Sequence, residues 1–105
     1  MTVNEEIHVG DVGTVFEITV KEGGVVPPGG ISLATTKEFV FVKPSQAKVT
    51  KTAVFKTNGT DGKLVYSTIT NDLDEAGVWA LQAHVVEPGK DHMTEITKFR
   101  VFANL

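Results

Sequence analysis

The feature that most constrains this chain is a hydrophobic period of two, which runs through nearly every segment between its glycines and prolines. Residues 14–21 alternate cleanly, with Phe16, Ile18 and Val20 on one side. This period, combined with many β-branched residues, predicts strands, because successive side chains of a strand point to opposite faces. Turn signals recur about every 8–12 residues, which predicts an all-β domain of about seven strands, a sandwich or a small barrel.

Glycine and proline clusters set the boundaries of the other predicted strands. The remaining strands are predicted at residues 7–9, 36–42, 50–57, 63–68, 77–87 and 93–102. Residues 27–30, Pro-Pro-Gly-Gly, predict a long exposed loop, since proline lacks an N–H and glycine accepts positive φ. Residues 58–62 and 88–91 are the predicted turns of two hairpins. Residues 71–76 have room for one helical turn at most.

Parity predicts the register of the last hairpin. Its core face is expected to carry Trp79, Leu81, Ala83 and Val85 on one strand and Thr97, Phe99 and Val101 on the other. Lys98 and Arg100 then face water. Residues that face each other on an antiparallel ladder share a side of the sheet, so odd numbers must pair with odd numbers. This pairing predicts a connecting loop of three or five residues rather than four.

Composition excludes several classes of partner. The chain has 105 residues, which predicts one domain over residues 1–105, and its net charge is −3 with no basic run, so nucleic-acid binding is not expected. No apolar run approaches the ~20 residues of a membrane span, and residues 1–6 lack the basic and apolar regions of a signal peptide. There is no cysteine. Disulfides and thiolate chemistry are therefore excluded, and synthesis in a reducing compartment is expected.

The histidines do not predict a metal site. His84 and His92 are both even-numbered, so the parity argument places them on the outer face of the last hairpin, about 7–14 Å apart. A metal would need a shorter reach and a third ligand, such as Glu87 or Glu95. Exposed surface histidines are the expectation, and His8 lies on an edge strand with no evident partner.

No other group of residues predicts catalysis. Asp72, Asp74 and Glu75 lack the spacing of an EF-hand loop, and a turn capped by Asn71 or Asp72 is expected instead. The serines, none of which sits in a Gly-x-Ser-x-Gly elbow, are Ser32, Ser45 and Ser67. No glycine-rich loop joins a strand to a helix, as phosphate binding would require. We therefore expect no catalytic residue, no cofactor and no metal, and hence no enzyme.

One strand departs from the alternation. In residues 38–42 four consecutive side chains are apolar, Phe39, Val40, Phe41 and Val42, so both faces of this strand are apolar. Either the phenylalanines face the core and the valines face outward, or the reverse. The outward pair is either covered by the loop at 27–30 or exposed as a partner-binding surface, since contiguous exposed apolar area usually marks an interface. We take these four residues, together with one chain terminus, as the candidate partner-binding site.

Two sets of motifs carry a resemblance. Residues 75–81, Glu-Ala-Gly-Val-Trp-Ala-Leu, resemble the entry to strand F of immunoglobulin-like domains, with Trp79 and Leu81 in the places of the family's Tyr and Cys. Over most of the chain, a wider set of turn and core segments resembles the small immunoglobulin-like virion proteins of tailed bacteriophages, similar to the N-terminal domain of the baseplate upper protein. These segments are residues 10–14, 43–44, 49–53, 57–63, 72–79 and 102–105.

The resemblance implies an immunoglobulin-like antiparallel sandwich that is a structural protein of the virion, made in the host cytoplasm. Such a protein would attach by protein–protein contacts to the tail, baseplate or capsid, as decoration or adaptor. Its partners would be other virion proteins, with many copies in a symmetric assembly and no nucleic acid or membrane. The alternative function is a free carbohydrate- or receptor-binding module whose tips are the loops at 27–30 and 88–89. Exposed Trp or Tyr faces would favour that alternative.

Overall fold

The computed structural model describes residues 6–104, and these residues form strands and loops without a helix. Residues 1–5, on which the expectation about a signal peptide rests, and residue 105 lie outside the described part, as do the chain ends proposed for assembly. The nine strands of the described part are β1 (Ile7–His8), β2 (Val15–Thr19), β3 (Thr36–Val42), β4 (Lys48–Thr52), β5 (Val54–Phe55), β6 (Lys63–Ser67), β7 (Gly77–Glu87), β8 (Lys90–Met93) and β9 (Thr97–Phe102). Between residues 6 and 104 there is no helix long and apolar enough to cross a membrane.

The strands form two sheets. The first has the order β1-β9-β7-β3-β4, with β8 pairing along the far part of β7, and the second has the order β2-β6-β5. β1 runs parallel to β9, whereas the other strand pairs are antiparallel, so the first sheet is mixed. The prediction of an all-β chain is confirmed. The count of about seven strands becomes nine because two of the predicted strands are each divided.

The first division occurs at Ala53. The sequence predicts one strand over residues 50–57, but β4 pairs with β3 in the first sheet and β5 pairs with β6 in the second. Ala53, which joins them, is 1% exposed, and its N–H donates to the carbonyl oxygen of Lys37 at 2.9 Å. The chain therefore passes from one sheet to the other at this residue, with its backbone polar group satisfied.

The second division changes the register of the last hairpin. β9 pairs with β7 as predicted, odd with odd, for example Trp79 opposite Phe99. Nearer the turn, however, Val85 lies opposite His92 and Glu87 opposite Lys90, so Pro88 and Gly89 alone form the turn. The predicted loop of three or five residues, and the turn over 88–91, are therefore wrong.

A β-bulge reconciles the two registers. Leu81 lies opposite Thr97 and His84 opposite Met93, so three residues, 94–96, face the two residues 82–83 of β7. The side chain of Thr94 holds the bulge, because its Oγ1 accepts from the N–H of Ala83 at 2.9 Å. The N–H of Thr94 donates in return to the carbonyl oxygen of Ala83 at 2.9 Å.

Both sheets contribute to one core. Phe16 of the second sheet contacts Phe41 and Phe99 of the first, with ring centroids 5.5 and 4.7 Å apart. Trp79 stacks on Phe99 at 5.8 Å. The predicted inward residues that are buried are Phe16, Ile18, Val20, Trp79, Leu81, Ala83, Val85, Phe99 and Val101. The aromatic contacts therefore join the inner faces of the two sheets, which leaves the opposite face of the first sheet for other contacts.

Candidate protein-binding face

The orientation of β3 decides between the two alternatives left by its sequence. Phe39 is fully buried and Phe41 is 4% exposed, and both belong to the core. Val40 and Val42 alternate with them, so they lie on the opposite side of the sheet, where both are partly exposed. The phenylalanines therefore face the core and the valines face outward.

The loop at residues 27–30 contacts a different region. The N–H of Ile31 donates to the carbonyl oxygen of Gly59 at 2.7 Å. A Cβ on Gly30, whose φ is +60°, would lie 2.2 Å from that same oxygen, so only glycine allows this close approach. With Pro88 and Lys90 the loop also lines an open groove of about 270 Å³. β3 begins at Thr36, opposite Val86 and close to Pro88, and it ends at Val42. The contacts of the loop therefore lie at the end of β3 that is far from Val42.

The outer face of the first sheet has an apolar centre. Val42 lies opposite Ala80 of β7, and Val40 lies opposite Gln82. Alternation along β7 places Val78 on the same side, where it is 55% exposed. Met93 shares this side as well, since it lies opposite His84, and it is 47% exposed. We call the side of the first sheet formed by Val40, Val42, Val78, Ala80, Gln82 and Met93 the outer face.

One end of the outer face is basic. Lys98 lies opposite Ala80, and Arg100 lies opposite Val78. On the other side of β3, Lys48 lies opposite Val42. All three side chains belong to exposed residues. The described contacts give Arg100 a cation–π interaction with the ring of Phe102, with the guanidinium carbon 5.2 Å from the ring centroid.

The other end of the outer face carries two carboxylates joined by a histidine. His84 Nδ1 lies 3.0 Å from Glu38 Oε1, and His84 Nε2 lies 2.6 Å from Asp91 Oδ1. The hydrogen bond to Glu38, followed by that to Asp91, raises the pKa of His84 above its ordinary value of 6.5. The outer face is therefore an apolar centre with positive charge at one end and carboxylates at the other.

The sequence found only part of this face. It identified Val40 and Val42, whereas Val78 and Ala80 were readable from the even positions of β7 but were not selected. Met93 could not have been assigned, because the bulge decides which side it takes. The sequence therefore marked the strand at the centre of the face and missed its flanks.

The two histidines of the last hairpin do not share a face. His84 lies on the outer face as predicted, but His92 lies opposite Val85 and so takes the inner side, which corrects the prediction for His92. The reason is the bulge, which reverses the parity of β8. His92 Nε2 is buried without a hydrogen bond and lies 3.6 Å from Glu87 Oε2. Among residues 6–104 no group of three or more histidine or acidic side chains is placed to hold a metal.

The acids at 72–75 support turns, in agreement with the capped turn expected there. Asp72 Oδ2 accepts from the N–H of Ile69 at 2.9 Å and from the hydroxyl of Tyr66, while its Oδ1 lies 3.0 Å from Lys51 Nζ. Glu75 accepts from both the N–H and the hydroxyl of Ser45, at 3.2 and 2.9 Å.

The environment shifts two pKa values in this group. Burial would raise the pKa of Asp72, but its hydrogen bonds from Ile69, Tyr66 and Lys51 together lower it. Burial, with the bond to Asp72, raises the pKa of Tyr66. Asp72 therefore acts as an ionised acceptor that ties β4, β6 and the turn together.

The aromatic residues bear on the sugar- or receptor-binding alternative. Trp79 is 2% exposed, and Tyr66 packs against the core with its ring 6.0 Å from that of Phe41. Trp79 therefore offers no ring face to a ligand, and Tyr66 is only partly exposed. Phe102, at 36%, is the most exposed aromatic side chain among the exposed hydrophobic residues of the described part, and Arg100 and His8 lie beside it.

Comparison of the chain with known protein families, with characterised proteins and with solved structures found no match.

Proposed function

We propose that this chain is an immunoglobulin-like, non-enzymatic structural protein of a tailed-bacteriophage virion that attaches to the tail, baseplate or capsid by protein–protein contacts. The observation that carries the proposal is the outer face. Its centre is apolar and partly exposed, and it lies on a sheet whose other side is filled by the core. Exposed contiguous apolar area on a small domain usually marks an interface.

The strand order supports the immunoglobulin-like part of the proposal. The order β9-β7-β3-β4 corresponds to strands G-F-C-C′ of a variable-type domain, and β2-β6-β5 corresponds to B-E-D. The indole N–H of Trp79 also donates to the carbonyl oxygen of Glu75, where immunoglobulin-like domains often have the tyrosine corner. Both features are expected of a sandwich of this family.

The proposal requires many copies. Burying one valine side chain contributes about 1.5–3 kcal/mol. Two valines per copy contribute about 3–6 kcal/mol, which offsets at most the low end of an association cost of about 4–15 kcal/mol. Repeated around a symmetric assembly, however, weak contacts act together and give stable attachment. A virion is such an assembly.

The alternative of a free carbohydrate- or receptor-binding module is less well supported. Sugar sites usually present the face of Trp or Tyr, and here Trp79 and Tyr66 pack into or against the core. The groove between Pro28 and Pro88 is lined by proline, glycine, Ser32, Leu33, Glu87 and Lys90 and contains no Trp or Tyr. We therefore place the function on the outer face rather than on the loops.

The test is incorporation into particles. Virions from cells that carry the gene are purified on a density gradient, and the chain is quantified per particle by mass spectrometry. We expect wild-type chain in every particle, and we expect Val40→Glu and Val42→Lys to fold, by circular dichroism, but to be absent from particles. Val54→Glu is the matched control, because Val54 is 57% exposed on the second sheet.

Two results would overturn the proposal. Particles without wild-type chain would remove the virion role. Normal loading of folded Val40→Glu would instead remove the outer face as the contact. Replacement of Phe39 or Phe41 by alanine is the contrasting case, since these core residues should unfold the domain.

A further inference from the structure

We propose that the partner of the outer face is a second copy of this chain, so that two copies pair face to face about a two-fold axis perpendicular to the strands. This inference rests on the proposed function in that it names the partner of the same surface. It is carried by the arrangement of charge on the outer face. Lys98 and Arg100 lie at one end, and Glu38 and Asp91 lie at the other.

The positions of the charges select one axis. Along the antiparallel ladder, Arg100 lies opposite Val78 and Asp91 lies opposite Val86, so eight residues of β7 separate their positions. Gln82 lies midway between Val78 and Val86 on the same strand. A two-fold axis beside Gln82, in the plane between two facing sheets and perpendicular to the strands, exchanges the two ends of the face. It brings Arg100 of each copy toward Asp91 of the other.

The positions of the strands across the sheet also match under this rotation. β8 and β9 both pair with the same strand, β7, and the bulge joins one to the other. Rotation about an axis perpendicular to the strands keeps each strand over its own counterpart, so Arg100 on β9 and Asp91 on β8 stay on the same flank. An axis parallel to the strands would instead place basic end against basic end, and like charges facing each other disfavour association.

The apolar centre fits the same arrangement. Val40 lies beside Gln82, and the axis therefore places Val40 of one copy near Val40 of the other. The side-chain amide of Gln82 already donates one hydrogen bond within its own chain, to the carbonyl oxygen of Thr94 at 2.6 Å. Val78 and Met93, the two most exposed members of the face, lie near opposite ends of β7 and would both lose exposed surface.

The size of the face predicts a weak dimer. The first sheet contains 35 strand residues. At about 4.8 Å between strands and about 3.4 Å per residue, its projected area is roughly 500–600 Å². Standard interfaces bury about 800 Å² per partner. A dimer with a dissociation constant in about the micromolar range is therefore expected, which suits a building block that is further stabilised by repetition in an assembly.

The test is sedimentation equilibrium of the full chain. We expect a reversible monomer–dimer equilibrium whose dissociation constant increases with salt, because the paired charges at the rim are screened. Arg100→Asp and Asp91→Arg should each weaken the dimer about tenfold, and the double variant, which carries both changes in every copy, should restore it. Val40→Glu should abolish the dimer, whereas Val54→Glu on the second sheet should leave it intact. Circular dichroism checks that each variant folds.

Failure of this inference is distinguishable from failure of the proposed function. A wild-type chain that stays monomeric to about millimolar concentration, where even weak contacts are populated, overturns the dimer. So does a dimer that the double charge exchange fails to restore. If the dimer is overturned in this way and Val40→Glu is nevertheless absent from particles, the virion role remains. The partner of the outer face is then a different protein. A dimer that behaves as expected but never purifies with particles would support the inference and remove the virion role.

Discussion

The indole N–H of Trp79 donates a hydrogen bond of 3.0 Å to the carbonyl oxygen of Glu75, four residues earlier in the chain. Trp79 is 2% exposed and stacks on Phe99, so the bond joins the core to the turn that precedes β7. The carboxylate of Glu75 in turn binds Ser45 in the turn between β3 and β4. Trp79 therefore fixes the turn before β7 to the core, and Glu75 links that turn to the turn between β3 and β4.

Trp79→Ala should lower the free energy of unfolding by about 3–5 kcal/mol, because it removes a large buried side chain and leaves a cavity. Trp79→Phe should cost less, about 1–3 kcal/mol, since it keeps most of the ring surface but leaves the Glu75 carbonyl without its donor. Urea denaturation at neutral pH measures both. Phe102→Ala, at the partly exposed Phe102, serves as the control, and an unchanged midpoint for Trp79→Ala would remove Trp79 from the core.

The sequence predicted the core faces well but could not predict the bulge. Alternation assigns Phe16, Trp79 and Phe99 to the interior, because a pleated strand turns every second side chain to the same side. The one extra residue in the bulge at 94–96 reverses which side of the sheet each residue of β8 occupies. Parity alone therefore could not place His92 and Met93, since a bulge leaves no hydrophobic pattern of its own.

The candidate site was predictable to the same extent. Its central residues, Val40 and Val42, were found because four consecutive apolar residues are unusual in a half-buried strand. Their outward orientation was not decided by the pattern, since Phe39 and Val40 satisfy it equally well. Packing decides it: the two phenylalanines fill the space between the sheets with Phe16, and the smaller valines remain outside.

Thr94→Val should destabilise the bulge. The hydroxyl oxygen of Thr94 accepts the N–H of Ala83 at 2.9 Å, and valine has the same shape without that oxygen. Loss of the acceptor should cost about 1–2 kcal/mol and should speed hydrogen exchange at the amide of Ala83. Thr94→Ser is the matched control, because it keeps the hydroxyl. Equal exchange rates at Ala83 in the two variants would mean that the hydroxyl does not hold the bulge.

Asp72→Ala should remove the acceptor shared by the Tyr66 hydroxyl and the Ile69 N–H, together with the ion pair to Lys51. The side chain of Asp72 is only 9% exposed, so water replaces these bonds poorly, and a loss of about 2–3 kcal/mol is expected. Asp72→Asn keeps one oxygen that can accept from Tyr66 and Ile69 but loses the charge and the oxygen that faces Lys51, so its cost should be smaller. Urea midpoints for the two variants test this order.

Asp72 should also make the stability of the fold depend on pH in acid. The pKa of Asp72 is lowered in the folded protein from its ordinary value of 3.8. The contribution of the ionised Asp72 to the free energy of unfolding is therefore fully present above pH 3.8. It is lost as the pH falls through the lower pKa of the folded protein. The difference in unfolding free energy between wild type and Asp72→Asn should then shrink in strong acid. A difference that stays constant as the pH is lowered through the acid range below 3.8 would contradict this linkage.

His84 should make stability depend on pH in the opposite direction. Both of its ring nitrogens face carboxylate oxygens, those of Glu38 and Asp91, at 3.0 and 2.6 Å. A neutral imidazole has one N–H and can donate to only one of them, whereas the imidazolium donates to both. The folded pKa therefore lies above the unfolded value of 6.5. The stabilisation is complete below pH 6.5 and is lost as the pH rises through the folded pKa.

The free energies of unfolding of the wild type and of His84→Gln should accordingly differ most near about pH 6. They should converge as the pH rises above the folded pKa of His84, where the imidazole is neutral in both folded and unfolded chains. The effect should stay below about 1 kcal/mol, because Glu38 and Asp91 are partly exposed and water screens the pair. His8→Gln, on the edge strand β1, is the control for losing a histidine as such. Titration of the His84 ring by NMR measures the cause directly. A midpoint at or below 6.5 would show that the two carboxylates do not hold the proton, and the acidic end of the outer face would then carry two uncompensated negative charges.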